Sequence, residues 1–129
     1  MTLIEHNPPT VAAPVGLYSH GIEVPPNARW MYVTGQVGVD REGKVAGTIE
    51  AQCALAFANL LAVLASAGMG AQDIVRINAY LTDPRYIEAY RVARDPLLRA
   101  PLPASTVLVV NQLADPSFWV EIDRVAAKA

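Results

Sequence analysis

Glu121 is the side chain whose type and setting point most directly to chemistry. A carboxylate within hydrogen-bond reach of a water can take its proton as the water attacks an electrophilic carbon such as that of an iminium. The plain alternative is a solvated charge beside Asp123, the commoner fate of an isolated carboxylate. Tyr18 offers a hydroxyl that can enter a cleft, or else a strand-edge aromatic with a wet tip. Thr34-Gly35 and Ser105-Thr106 combine small side chains with accessible backbone N–H groups, a combination that can cradle a carboxylate or carbonyl oxygen. Gly35 also reads as a simple strand bulge. Tyr90 shares a helical stripe with Tyr86 and Leu97, where core packing competes with ligand contact. Arg91 and Arg94 flank that stripe as cations that pair on a surface or, if a pocket reaches them, hold an anion.

Other chemistries find less support. His6 and His20 lie apart with no HxH or HExxH spacing, and Cys53 is alone, so neither a metal centre nor an internal disulfide is expected. His20 can titrate near neutrality, but a lone histidine is usually structural or exposed. Cys53 falls on a helical core stripe with no base in the pattern and reads as packing. No cofactor motif is present. The net charge of −2 and the lack of a basic cluster disfavour nucleic acid as a partner. The segment Ala54 to Ala67 is interrupted by Asn59 and Ser66 and is too short for a membrane span. Met1 to His6 lacks the charged and apolar regions of a signal peptide, so a cytoplasmic protein is expected.

A chain of 129 residues fits one domain, 1–129, with residues 1–15 as a proline-rich extended arm. Ser19 to Val24 and Trp30 to Val39 flank Pro25-Pro26-Asn27 and suggest an antiparallel hairpin. Thr48 can cap a helix over 49–67 with Gly68 as its left-handed stop and Cys53, Phe57, Leu60, Leu61 and Leu64 as its core stripe. Val75, Ile77, Ala79 and Leu81 alternate as one face of a strand. Thr82-Asp83-Pro84 starts a second helix over about 84–95, ended by Pro96, Pro101 and Pro103. Thr106 to Val110 is apolar on both faces and reads as a strand that cannot face water. Trp119 to Ala126 closes the chain as a strand after the Asp115-Pro116-Ser117 turn. The predicted order is β-β-α-β-α-β-β, an α+β fold with both helices on one face of a mixed sheet. With 53% hydrophobic and only 17% charged residues, the opposite face calls for a second subunit.

Gly16-Leu17-Tyr18-Ser19-His20-Gly21, Val33-Thr34-Gly35-Gln36, Asn59 to Gly68, Asp73-Ile74-Val75, Pro103-Ala104-Ser105-Thr106 and Val120-Glu121-Ile122-Asp123 follow one another in an order and spacing that resemble the Rid (YjgF-type) family of reactive intermediate deaminases. The resemblance covers about 16–126. It implies a chorismate-mutase-like α+β fold and a homotrimer with a cleft between each pair of subunits. It also implies site roles: Tyr18 as the cleft tyrosine, Thr34 with Gly35 as the Ser-Gly pair, and Glu121 as the group that positions the hydrolytic water. Val107 stands where a cysteine is common, and Tyr90 where an asparagine is frequent.

Deaminating members carry an arginine after Pro-Ala, whose fork holds a 2-imino acid carboxylate through a bidentate ion pair. Ser105 occupies that place. A hydroxyl supplies one hydrogen bond and no countercharge, a loss of about a few kcal/mol of binding if nothing replaces it. The expectation is therefore a hydrolase for an enamine, imine or related reactive metabolite in an intersubunit cleft, with little activity on 2-iminopropanoate and some gain in Ser105→Arg. The alternative is a non-catalytic trimer that binds a small metabolite or a partner. The ligand would be a small molecule carrying a carboxylate or carbonyl.

Overall fold

The computed structural model describes residues 2–129. Its six strands are β1 (Ile4–His6), β2 (Gly21–Glu23), β3 (Arg29–Val37), β4 (Ile74–Leu81), β5 (Ala104–Val109) and β6 (Val120–Lys128). Two helices, α1 (Ile49–Ala65) and α2 (Ile87–Arg94), complete the fold. β3, β6, β4 and β5 lie side by side in that order, with β6 antiparallel to both neighbours and β5 parallel to β4. The sheet is mixed, as expected, because α2 carries the chain over it between the parallel pair.

Helix α1 begins where the side chain can satisfy an orphan donor: Thr48 Oγ1 accepts from Ala51 N–H at 3.1 Å. It stops where Gly68 takes φ +69°, a conformation open to glycine at little cost, and Met69 N–H returns to Leu64 C=O at 3.0 Å. Its stripe of Cys53, Phe57, Leu60 and Leu64 is buried, while Leu61 is only partly covered and Gln52 and Ala56 join the buried set. Asp83 caps the second helical segment, accepting from Arg85 N–H at 2.8 Å, and Pro84–Tyr86 forms a 3-10 turn ahead of α2.

The face under the helices is built by alternation. Ile77, Ala79 and Leu81 of β4 and Val120, Ile122 and Ala126 of β6 are buried in one cluster with Phe57, Leu60 and Tyr90. A register shift between Ile74 and Arg76 brings Ile74 into this core and leaves Val75 half-buried, so Val75 is not a core residue.

Two expectations are corrected. β2 does not form a hairpin with β3; it pairs antiparallel with β1, Ile4 opposite Glu23 and His6 opposite Gly21. The Pro25-Pro26-Asn27 reversal is real, with Asn27 at φ +66°, but β3 finds its partner in β6. Residue 1 of the expected arm 1–15 lies outside the described residues; residues 2–15 are more than an extended arm, and a two-stranded ribbon precedes the four-stranded sheet, making the order β-β-β-α-β-α-β-β. β5 lies at a sheet edge, and in the single chain its Leu108 and Val109 are 50% and 46% exposed.

Candidate functional site

Ser105 and Val107 sit on the helix side of the edge strand, and Thr106 on the other. The parallel register puts Ser105 beside Ile77 and Val107 beside Ala79, both core residues, and Thr106 beside Asn78. This alternation splits the candidate residues into two groups on opposite faces of the sheet.

The first group forms a cavity of about 200 Å³ lined by Val15, Gly16, Tyr18, Ser105, Val107, Arg91 and Arg94. The Tyr18 hydroxyl accepts from Val15 N–H at 3.3 Å, and its ring stands edge-on to His20 at 5.9 Å. His20 is held in turn: its N–H donates to Asn7 Oδ1 at 2.8 Å, and its Nε2 lies 2.6 Å from Ala12 C=O. Ser19 N–H donates to Pro103 C=O at 3.0 Å, fixing the Tyr18 segment to the strand that carries Ser105. Arg94 reaches the cavity from α2 with its side chain only 6% exposed, and its Nε and Nη2 bind Asp95 Oδ1 at 3.0 and 2.9 Å. Tyr90 does not line the cavity. It is fully buried, stacked on Phe57 at 5.7 Å, because its helical position faces the core.

The second group lies on the open face of the sheet. A Cβ built on Gly35 would fall 2.7 Å from Glu121 Cδ, so the missing side chain is what lets the carboxylate lie against the β3 backbone. Thr34 is exposed next to it. Glu121 is opposite Tyr80, and a hydrogen-bonded ladder fills the neighbouring row across three strands. Arg76 Nη2 donates to Thr106 Oγ1 at 2.7 Å and its Nε to Asn78 Oδ1 at 2.9 Å; Asn78 Nδ2 donates to Asp123 Oδ1 at 2.8 Å. Thr106 is thereby committed to Arg76. The Tyr80 hydroxyl is held above its usual pKa, first by desolvation and then by Asp123.

Sequence reasoning did not single out Arg124 or Gln52. Arg124 is 2% exposed, and its Nε, Nη1 and Nη2 have no hydrogen-bond partner among the described residues. Its guanidinium lies 5.2 Å from the Phe57 ring centroid, and burial lowers its pKa to about 10, so it is cationic at neutral pH. Strand alternation from Ile122 to Ala126 was the signal that could have found it, since it places residue 124 in the core. Cys53 is buried and its thiol is pushed up to about 12, chiefly by desolvation and then by Glu50. The thiolate being the nucleophile, Cys53 is expected to stay unreactive toward a disulfide reagent at pH 7 in the folded protein and to react once denatured; rapid native labelling would contradict its burial.

A mixed sheet covered on one face by two helices, with a tyrosine and small polar groups gathered at its edge strand, defines an α+β fold of the Rid type. The chain belongs to that family: residues 9–128 match the model for Endoribonuclease L-PSP. It is 30% identical over 122 residues to a RutC family protein of Aquifex aeolicus (strain VF5), covering 93% of this chain and 95% of that protein. It is 26% identical over 107 residues, 81% of each chain, to a 2-iminobutanoate/2-iminopropanoate deaminase of Dermatophagoides farinae. The solved structure of YyfB, a Rid-family protein of unknown function from Yersinia pestis, superposes with a TM-score of 0.82 at 26% identity, covering 99% of this chain and all of that one. Among the described residues no helix is long and apolar enough to cross a membrane.

Proposed function

We propose that the protein is a hydrolase for an imine, enamine or related reactive small molecule, acting in a cleft completed by a second copy of the chain. Family membership supports a role of the reactive-intermediate-deaminase kind in general. The observation that carries the finer reading is the division of the site. Tyr18 and Ser105 open into one cavity, while Glu121 and Gly35 lie on the opposite sheet face, so one protomer offers two complementary halves. A neighbouring protomer that laid its open face against the cavity of the first would unite the water-holding carboxylate with the small polar cradle. Tyr32, 77% exposed, and Leu108 on that open face give such a contact its apolar area. A homotrimer, the arrangement implied by the resemblance, closes three such contacts by rotation.

In the assembled cleft an imine carbon would sit near the water held by Glu121. The carboxylate takes a proton from the water as the C–O bond forms and the C=N π pair passes to nitrogen, and it returns that proton to the nitrogen to give a carbinolamine. The hydroxyl proton then passes by the same route to the nitrogen, which leaves as ammonia as the carbonyl forms. The test is hydrolysis of a panel of imines and enamines, charged and neutral, by the purified protein, with the assembly state measured in parallel. Acceleration above the spontaneous rate by a trimer is expected. A folded trimer inactive across the panel would replace this reading with a binding role, which the change of the family arginine to Ser105 favours.

A further inference from the structure

The cavity beside Ser105 has no acidic side chain in its lining and two arginines. Asp95 engages Arg94 through Nε and Nη2 only, leaving Nη1 of its guanidinium outside the ion pair. Arg91 forms no ion pair among the described residues and is exposed at the rim. The charge continues inward. Arg94 lies over the Tyr90 ring at 5.4 Å, Tyr90 stacks on Phe57, and Arg124 lies over Phe57. Arg124, Ile77 and Ser105 form one row across β6, β4 and β5, so the buried cation and the serine share a sheet face. A buried guanidinium without a counter-ion is costly, and one anion seated nearby would relieve it.

We propose that Arg94 is the specificity-determining residue of this cavity, holding the carboxylate of the substrate while the Ser105 hydroxyl donates a second hydrogen bond. Arg124 is a positioning residue whose buried charge strengthens the anion's attraction without touching it. The substrate class is then a small carboxylate bearing an imine or enamine, and the inference rests on the cavity being half of the site proposed above. Judged from residue 105 alone, 2-iminopropanoate would be a poor substrate. With Arg94 in place the native protein hydrolyses it, and Ser105→Arg adds little, because two guanidiniums would contend for one carboxylate.

The experiment measures binding to the full-length protein by calorimetry, using 2-oxobutanoate and its uncharged methyl ester as probes. The native protein is expected to bind the acid at least about tenfold more tightly than the ester. Arg94→Gln removes that preference, Arg94→Lys restores part of it, and Arg41→Ala, at an exposed arginine outside the cavity lining, changes it by no more than about threefold. Arg124→Met weakens acid binding several-fold while its thermal midpoint stays level or rises, which a merely structural arginine would not do. Equal binding of acid and ester by native protein overturns the proposal even if Arg94→Gln fails to fold. So does an acid preference that survives in folded Arg94→Gln. Loss of midpoint in Arg124→Met with the acid preference intact overturns the role of Arg124. Hydrolysis unaffected by Arg94→Gln leaves the proposed reaction standing and removes this assignment, whereas acid preference without hydrolysis of any substrate does the reverse.

Discussion

If the proposed reaction holds, Glu121→Gln is expected to lower imine turnover by about 10²–10⁴-fold and to leave assembly and thermal midpoint near native values. That range is the usual contribution of a positioned general base. The amide keeps the size of the side chain and its hydrogen bond to a water but cannot take the proton. The fold should tolerate the change because Glu121 projects from the open face of β6 and not into the core. Gly35→Ala supplies an independent arm, since the added Cβ would overlap the carboxylate and displace it while preserving its charge. Both variants should therefore lose kcat far more than they change KM, measured on the best substrate of the panel. Retention of native kcat by Glu121→Gln would remove Glu121 from the chemistry.

The second large effect is on stability and arises at Gln52, a buried polar residue of α1. Its Nε2 donates to Ala46 C=O at 3.1 Å and Ser117 C=O at 2.9 Å, and its Oε1 accepts from Trp119 N–H at 2.9 Å. One side chain thus joins the loop entering α1 to the turn entering β6. Gly38 fits against it so closely that a Cβ there would lie 2.5 Å from Gln52 Cα. Gln52→Ala strands three backbone groups at about 1 kcal/mol or more each, a loss of at least about 3 kcal/mol. For a domain of this size the midpoint should fall by roughly 10 °C. Urea unfolding monitored by tryptophan fluorescence measures it, and a loss under about 1 kcal/mol would mean that water replaces the three bonds.

What the sequence made legible follows locality. Thr48, Gly68 and Asp83 act within a turn of where they stand, and the structure finds all three helix signals in use. The alternation of Ile77, Ala79 and Leu81 likewise needs only neighbours. Strand partnership is different, because it is decided across the fold. Ile4-Glu5-His6 is too short and polar to announce a strand, so local pattern alone pairs β2 with its nearest neighbour in sequence. Arg124 is illegible for a related reason: arginine ordinarily marks a surface, and only the fold sets its guanidinium over the Phe57 ring. Among the candidate residues, Tyr18, Ser105 and Val107 line one cavity. Thr106 and Tyr90 turn away, since strand and helix periodicity commit them to Arg76 and the core.

The tethers around Leu102 and Pro103 also bear on folding order. Glu5 accepts from Leu102 N–H at 2.7 Å across 97 positions of sequence, and Ser19 N–H reaches Pro103 C=O. Contacts so distant along the chain form only after the intervening loop has lost its freedom, and they gain nothing until the sheet between them exists. The wall of the cavity is accordingly among the last parts to assemble and the first to loosen. Amide hydrogens at Leu102 and Ser19 should exchange through local opening, ahead of those of β4 and β6, so that a ligand seated against Ser105 would slow them selectively.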